Sequence, residues 1–170
     1  NDITGPLIEE SFTRLIDILD TLIMQNGYVL GARPSSADFA LFGQLTQLCQ
    51  VEPTSYKVAQ RRPRVRAWVD RLEDLSGLDI DDQSWLSVDE TGTRLAPLLA
   101  EIGRCYVPCL LANAAAIQKG EASFETQIDG KTWTQDIFPY QAKGRVHIRE
   151  AYGALDAGSQ ATGDHRLAGP

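Results

Sequence analysis

The stretch Gly31-Ala32-Arg33-Pro34-Ser35-Ser36-Ala37-Asp38-Phe39-Ala40-Leu41-Phe42-Gly43 decides how the rest of the chain is read. Its glycine and proline mark a turn. Ser35 and Asp38 then stand at the spacing of a capping box. The serine can cap the exposed amides of the first turn, while the carboxylate reaches back to the serine amide. Aspartate here takes the place of the commoner glutamate. The apolar residues Phe39, Ala40, Leu41, Phe42, Leu45, Leu48 and Cys49 follow, so a helix is predicted over 35–50. It is apolar on most sides, which places it at the centre of a bundle rather than on its surface.

Working outward, residues 6–25 carry Ile8, Phe12, Leu15, Leu19, Leu22 and Ile23 at spacings of three and four, the mark of one buried helix face. Pro6 suits its first turn and Asn26-Gly27 its end. On the other side, Pro63 opens a helix over 63–75 whose inward stripe is Val65, Trp68, Val69, Leu72 and Leu75. Residues 78–92 are acidic and read as a connector. A long helix is expected over 93–118, kinked at Pro108. Over 123–135 the period changes to two: Phe124, Thr126 and Ile128 alternate with polar residues, Asp129-Gly130 offers a two-residue turn, and Thr126 should face Trp133. A last helix is expected over 139–156, and a mobile tail over 157–170. The expected fold is therefore all-α: a helical bundle occupying 1–156 with one small β-hairpin appended.

The 170 residues are enough for one domain with its own core. A formal net charge of -7 argues against nucleic acid and against an anionic membrane as partners, since both call for a basic footprint. No apolar run is long enough to cross a bilayer and no secretion signal is visible. Cys49, Cys105 and Cys109 are too sparse for a disulfide framework, so a reducing, cytoplasmic setting is expected. The chain opens on Asn1 and not on Met, so a missing upstream domain has to be considered.

The segment after Gly31 resembles the capping-box and hydrophobic-staple region of the C-terminal domain of glutathione transferases. Gly31, Ser35 and Asp38 match its pattern. Arg62-Pro-Arg-Val-Arg-Ala-Trp-Val-Asp-Arg-Leu72 is similar to the helix that follows in that family. Tyr106-Val-Pro-Cys-Leu-Leu-Ala-Asn-Ala-Ala-Ala116 and Phe138-Pro-Tyr-Gln-Ala-Lys143 look like later segments of a bacterial subgroup. The resemblance covers about 6–155. It implies an all-helical domain that contributes half of the pocket for a hydrophobic electrophile, from its first and later helices. It also implies that glutathione is bound by a thioredoxin-like N-terminal domain, which is not in this chain. No catalytic residue can therefore be carried over, and glutathione is a cofactor only of a complete two-domain protein. A homodimer is a further implication, although much of that interface involves the other domain.

Several residue groups have both a functional and a structural reading. Ser35 and Asp38 are read as structural, because capping explains them fully. Tyr106, Trp133, Phe138 and Tyr140 are candidates for an apolar small-molecule pocket, against ordinary packing. Arg61, Arg62 and Arg64, with Arg66 and Arg71 further along, make a basic cluster, and positive charge at a helix start opposes the dipole. They are read as a solvated face paired with the acidic run 79–90, or alternatively as an interface patch. Cys105 and Cys109 lie one helical turn apart and read as core, with no metal site expected. A non-enzymatic interaction module, or a small-ligand carrier, stands beside the transferase reading, since fold does not fix function.

Overall fold

The computed structural model describes residues 4–167. It divides into two compact units, Asn1–Glu101 and Ile102–Pro170.

The first unit is helical. It comprises α1 (Thr4–Asn26), α2 (Ser36–Thr46) running into a π-helical turn at Gln47–Val51, α3 (Pro53–Ala59), α4 (Pro63–Leu72), a short 3-10 turn at Asp82–Ser84, α5 (Val88–Arg94) and α6 (Ala96–Glu101). Its core joins Phe12, Ile16, Leu19 and Ile23 of α1 to Val65, Trp68, Val69 and Leu72 of α4, with Leu45, Cys49 and Ala59 closing the sides. The inward stripe of α1 begins one position earlier than expected. Leu7 and Ile16 are buried, while Ile8 is 54% exposed. Leu15-Ile16 is an adjacent apolar pair, and three-and-four spacing between Phe12 and Leu19 fits either member; at the helix start burial falls on Leu7, five residues before Phe12.

Helix α2 is not the centre of the bundle. Only Leu45 and, in the turn beyond it, Cys49 are fully inward on its apolar side, and Phe39 is 50% exposed. The central position belongs to α1, which packs against α3, α4 and α6. Helix α3 adds an element that the sequence reading leaves out. Pro53 occupies its first turn, and the Glu52 carboxylate accepts from the Ser55 amide at 2.6 Å. The acidic stretch is likewise more than a connector, because α5 begins inside it. Ser87 and Glu90 form a second capping box, in which Glu90 Oε2 accepts from the Ser87 amide at 3.0 Å and from its hydroxyl at 2.8 Å. The long helix expected over 93–118 is broken at Leu95, because Pro97 has no N–H to donate to the Thr93 carbonyl.

Two backbone bonds tie the acidic stretch to the loop before α2. Leu86 N donates to Leu30 O at 2.9 Å, and Ala32 N donates to Ser84 O at 2.8 Å. Between them lies Gly31 at φ 144°, where a Cβ would stand 2.2 Å from the Ser84 carbonyl oxygen. No side chain fits there.

The second unit holds a π-helical turn at Ile102–Tyr106, α7 (Val107–Lys119), β1 (Ser123–Ile128), β2 (Lys131–Asp136), α8 (Pro139–Gly153) and α9 (Ala157–Leu167). The kink expected at Pro108 is this π turn: Pro108 cannot donate to the Arg104 carbonyl, and the widened turn precedes it. The hairpin has the expected register, Thr126 facing Trp133. Asp129 at φ 50° and Gly130 at φ 70° supply the left-handed pair that a tight antiparallel turn requires. Phe124 and Ile128 are buried, and β1 packs on α7. Where a tail is expected, the chain forms α9. Its start is held by Asp156, whose carboxylate accepts from the Ser159 amide at 3.0 Å and hydroxyl at 2.6 Å. Residues 168–170 lie outside the described residues.

Candidate functional site

The start of α2 is organised by one carboxylate. Asp38 is fully buried. Its Oδ2 accepts from the Ser35 amide at 2.8 Å and the Ser35 hydroxyl at 2.5 Å, and its Oδ1 accepts from the Val29 amide at 2.8 Å. Ser35 and Asp38 do form the capping box, but the Ser35 proton goes to the carboxylate, so the aspartate half holds the motif together. The Val29 bond is the part that spacing alone does not reveal. It pins the loop before the helix to the helix itself. Every oxygen of this group is engaged with its own chain, and its chemistry is structural.

The arginines of α4 are not paired with the acidic run as expected. Asp82 of that run takes Arg33 instead, at 2.6 Å, and Arg33 stacks over Trp85 at 4.5 Å. The α4 partners come from α1: Arg62 meets Asp17 at 2.8 Å and Arg64 meets Asp20 at 2.8 Å. Arg66 and Arg71 turn away and lie over the rings of Tyr56 and Tyr28, at 4.9 and 4.7 Å. Arg61 is exposed. A cleft of about 380 Å³ opens between α1 and the start of α4.

A larger groove of about 690 Å³ adjoins this cleft along α1, and the two share Asp17 and Thr21. Asp17, Ile18, Thr21, Leu22 and Gln25 of α1 form one wall, and Thr93, Arg94 and Pro97 the other. Buried Leu22 and half-buried Ile18 give it an apolar floor, and the exposed Thr21, Gln25, Thr93 and Pro97 stand at its rim. Its volume falls in the range that takes small molecules. Arg94 is fixed from two sides: Nη2 pairs with Glu90 at 3.1 Å, and Nη1 donates to Asn26 Oδ1. Hydrogen bonds from the Ser87 hydroxyl and amide hold the Glu90 carboxyl below its ordinary range, and the Arg94 charge adds to this. The sequence reading misses this groove. Its one legible signal is Ser87-Val-Asp-Glu90, which starts the helix that carries Arg94.

The four aromatic candidates all belong to the second unit and none of them lines either opening. Tyr106 and Phe138 are exposed, Tyr140 is 76% exposed, and Trp133 is half-buried with its indole N–H donating to Gln135 Oε1 at 3.2 Å. What the structure does join are the two motifs around them. Asn113 of α7, fully buried, donates to the Phe138 carbonyl at 2.9 Å and accepts from the Phe138 amide at 2.8 Å.

Nucleophilic chemistry finds little support in the thiols. Cys49, Cys105 and Cys109 form no disulfide among the described residues. Burial pushes the Cys49 thiol up to about 11, and burial followed by the nearby Cys105 raises that of Cys109. Neither is a thiolate at neutral pH. Among the described residues no group of three or more His, Cys, Asp or Glu side chains is placed to hold a metal ion, and no single helix is long and apolar enough to cross a membrane. The only sheet among them is the two-stranded hairpin, which does not fit the thioredoxin-like framework that the resemblance assigns to glutathione.

Comparison with known proteins agrees on the family of the first part of the chain. The family model for the glutathione S-transferase C-terminal domain matches residues 6–71. No curated protein and no solved structure matches the chain. The matched segment runs from α1 through nearly all of α4 and contains the Asp38 carboxylate with its bonds to Val29 and Ser35. Residues 6–71 of this helical chain thus match the glutathione S-transferase C-terminal domain family.

Proposed function

We propose that this chain is the helical, co-substrate side of a glutathione-transferase-like protein, and that alone it does not conjugate glutathione. The observation that carries this reading is the groove along α1, walled by the first helix and by the later helices α5 and α6. An apolar floor with a polar rim suits a hydrophobic electrophile. Conjugation would form a bond from the glutathione sulfur to an electrophilic carbon and expel a leaving group such as halide. Activation of the glutathione thiol would fall to the thioredoxin-like domain that the resemblance implies.

The test uses the purified chain with glutathione and an aryl halide. The expected result is conjugate formation no faster than the uncatalysed reaction, together with measurable binding of the aryl halide by equilibrium dialysis. Ile18→Asp should weaken that binding by about tenfold, because it places a charge on the apolar floor. Catalysed turnover by the chain alone would overturn the proposal. Binding that ignores Ile18→Asp would remove the groove from it. A non-enzymatic carrier of small apolar molecules is the second reading, favoured by the same groove. It gains if the ligand binds equally well whether or not it carries a leaving group.

A further inference from the structure

The cleft that adjoins this groove, between α1 and the start of α4, has a charge imbalance. Arg61, Arg62 and Arg64 line it, with Asp17, Asp20 and Thr21 across from them. Two of the guanidinium groups are matched by carboxylates, and Arg61 has no ion pair among the described residues. Helix α4 has no acidic residue in its first turn, so its own field adds to the excess. Local electrostatics that work against the helix they sit on are the kind of conflict that function explains and stability does not.

We infer that this cleft is an oxyanion site for a single phosphomonoester-type dianion, gripped by Arg61 with Arg62 and Arg64. Guanidinium forks match the oxygens of such a group in pairs. The two existing pairs, at 2.8 Å, already hold oxyanions there in the form of Asp17 and Asp20. The Asp17 and Arg62 side chains are both more than a third exposed. A pair in contact with water is weak, and a dianion can displace it by swinging Asp17 outward. The volume of about 380 Å³ exceeds what a bare phosphate fills and leaves room for the group that carries it. An extended polyanion fits less well. Arg66 and Arg71, which would continue a basic stripe along α4, are laid over Tyr56 and Tyr28, and the chain as a whole carries -7.

Thermal unfolding of the whole chain tests this, with chloride replaced at constant ionic strength. Inorganic phosphate and phenyl phosphate are the probes and acetate is the control. Wild type should gain about 3 °C at tens of millimolar phosphate or phenyl phosphate, and nothing from acetate. Free phosphate and its ester share the chemistry; the larger gain identifies which source the site prefers. Arg61→Glu should abolish the gain and leave the melting temperature without phosphate within about 1 °C, since Arg61 is exposed and unpaired. Asp17→Asn should act in the opposite direction, tightening phosphate binding by about threefold as the competing carboxylate is removed. No gain in wild type, an equal gain from acetate, or a gain that survives Arg61→Glu would each overturn the site. Should Arg61→Glu itself unfold, broadening of the phosphorus resonance by wild-type protein, lost in Arg61→Gln, gives the same decision without melting. Absence of broadening overturns the site as well.

Discussion

In the unit Asn1–Glu101 one buried carboxylate, Asp38, holds the amides of Val29 and Ser35. In the unit Ile102–Pro170 one buried carboxamide, Asn113, holds both the amide and the carbonyl of Phe138. The choice of side chain follows the groups to be satisfied. The groups left over at the Asp38 end are amides and a hydroxyl that donate, and a group that only accepts serves them. Phe138, between a strand and a helix, presents one donor and one acceptor, and the amide of Asn113 serves both. The surroundings differ as well. Asp38 sits beside a core built from α1, α2, α3 and α4. Around Asn113 the buried apolar residues are Leu110, Ala116, Phe124 and Ile128, and α8 buries none. One polar anchor thus closes an already packed unit, and the other substitutes for packing that is scarce.

Removing each anchor sharpens that contrast. Asp38→Ala strands two amides and a hydroxyl in an apolar setting and should cost about 3 kcal/mol, measured by urea unfolding. Asn113→Ala should cost less, about 2 kcal/mol, because Phe138 is near the surface and its freed groups can reach water. Its effect should concentrate on α8, read as faster amide exchange in residues 139–153 with α1 unchanged. Equal costs, or exchange that spreads through α1, would break the comparison.

The smallest expected effect is confined to the first unit. The Cys49 thiol ionises near 9.0 when unfolded and near 11 when folded. Between those values the unfolded chain has lost a proton that the native chain keeps, so stability falls as pH rises from about 9 to 11 and is flat below. The loss is on the order of 1–2 kcal/mol. Cys49→Val should lack this component, measured as the difference in melting temperature between pH 8.5 and pH 10.5. A wild-type curve that parallels Cys49→Val would show that burial of this thiol is not what sets the alkaline response.

Local signals were legible and cross-chain ones were not. The helix starts at Ser35 and Pro63, the end at Gly27 and the Asp129-Gly130 turn each depend on a few adjacent residues, and each stands where its chemistry puts it. The hairpin register follows from the turn alone. The burial of α2 was misjudged because apolar content says which residues can be inside and not which face has neighbours. Phe39 is outside for that reason. The Arg62–Asp17 and Arg64–Asp20 pairs join helices some forty residues apart, and charge alone could equally have sent those arginines to the acidic run. The groove along α1 was hidden for the same reason: Ile18 and Leu22 read as ordinary positions of an amphipathic helix until α5 and α6 stand opposite them. The aromatic candidates had the right chemistry and no shared location.

The contact at Gly31 sets which parts of the first unit can vary in length. Residues 30–32 and 84–86 are stitched by main-chain bonds at a distance that admits no side chain, so both ends of the intervening span are fixed. Within the span, residues 76–81 are exposed. Loop-closure cost rises by only about 0.6 kcal/mol for each doubling of loop length. Insertions are therefore cheap at 76–81, and a single methyl group is costly at 31. Length there and identity here are separate freedoms, and a reporter peptide can be spliced into the first without disturbing the second.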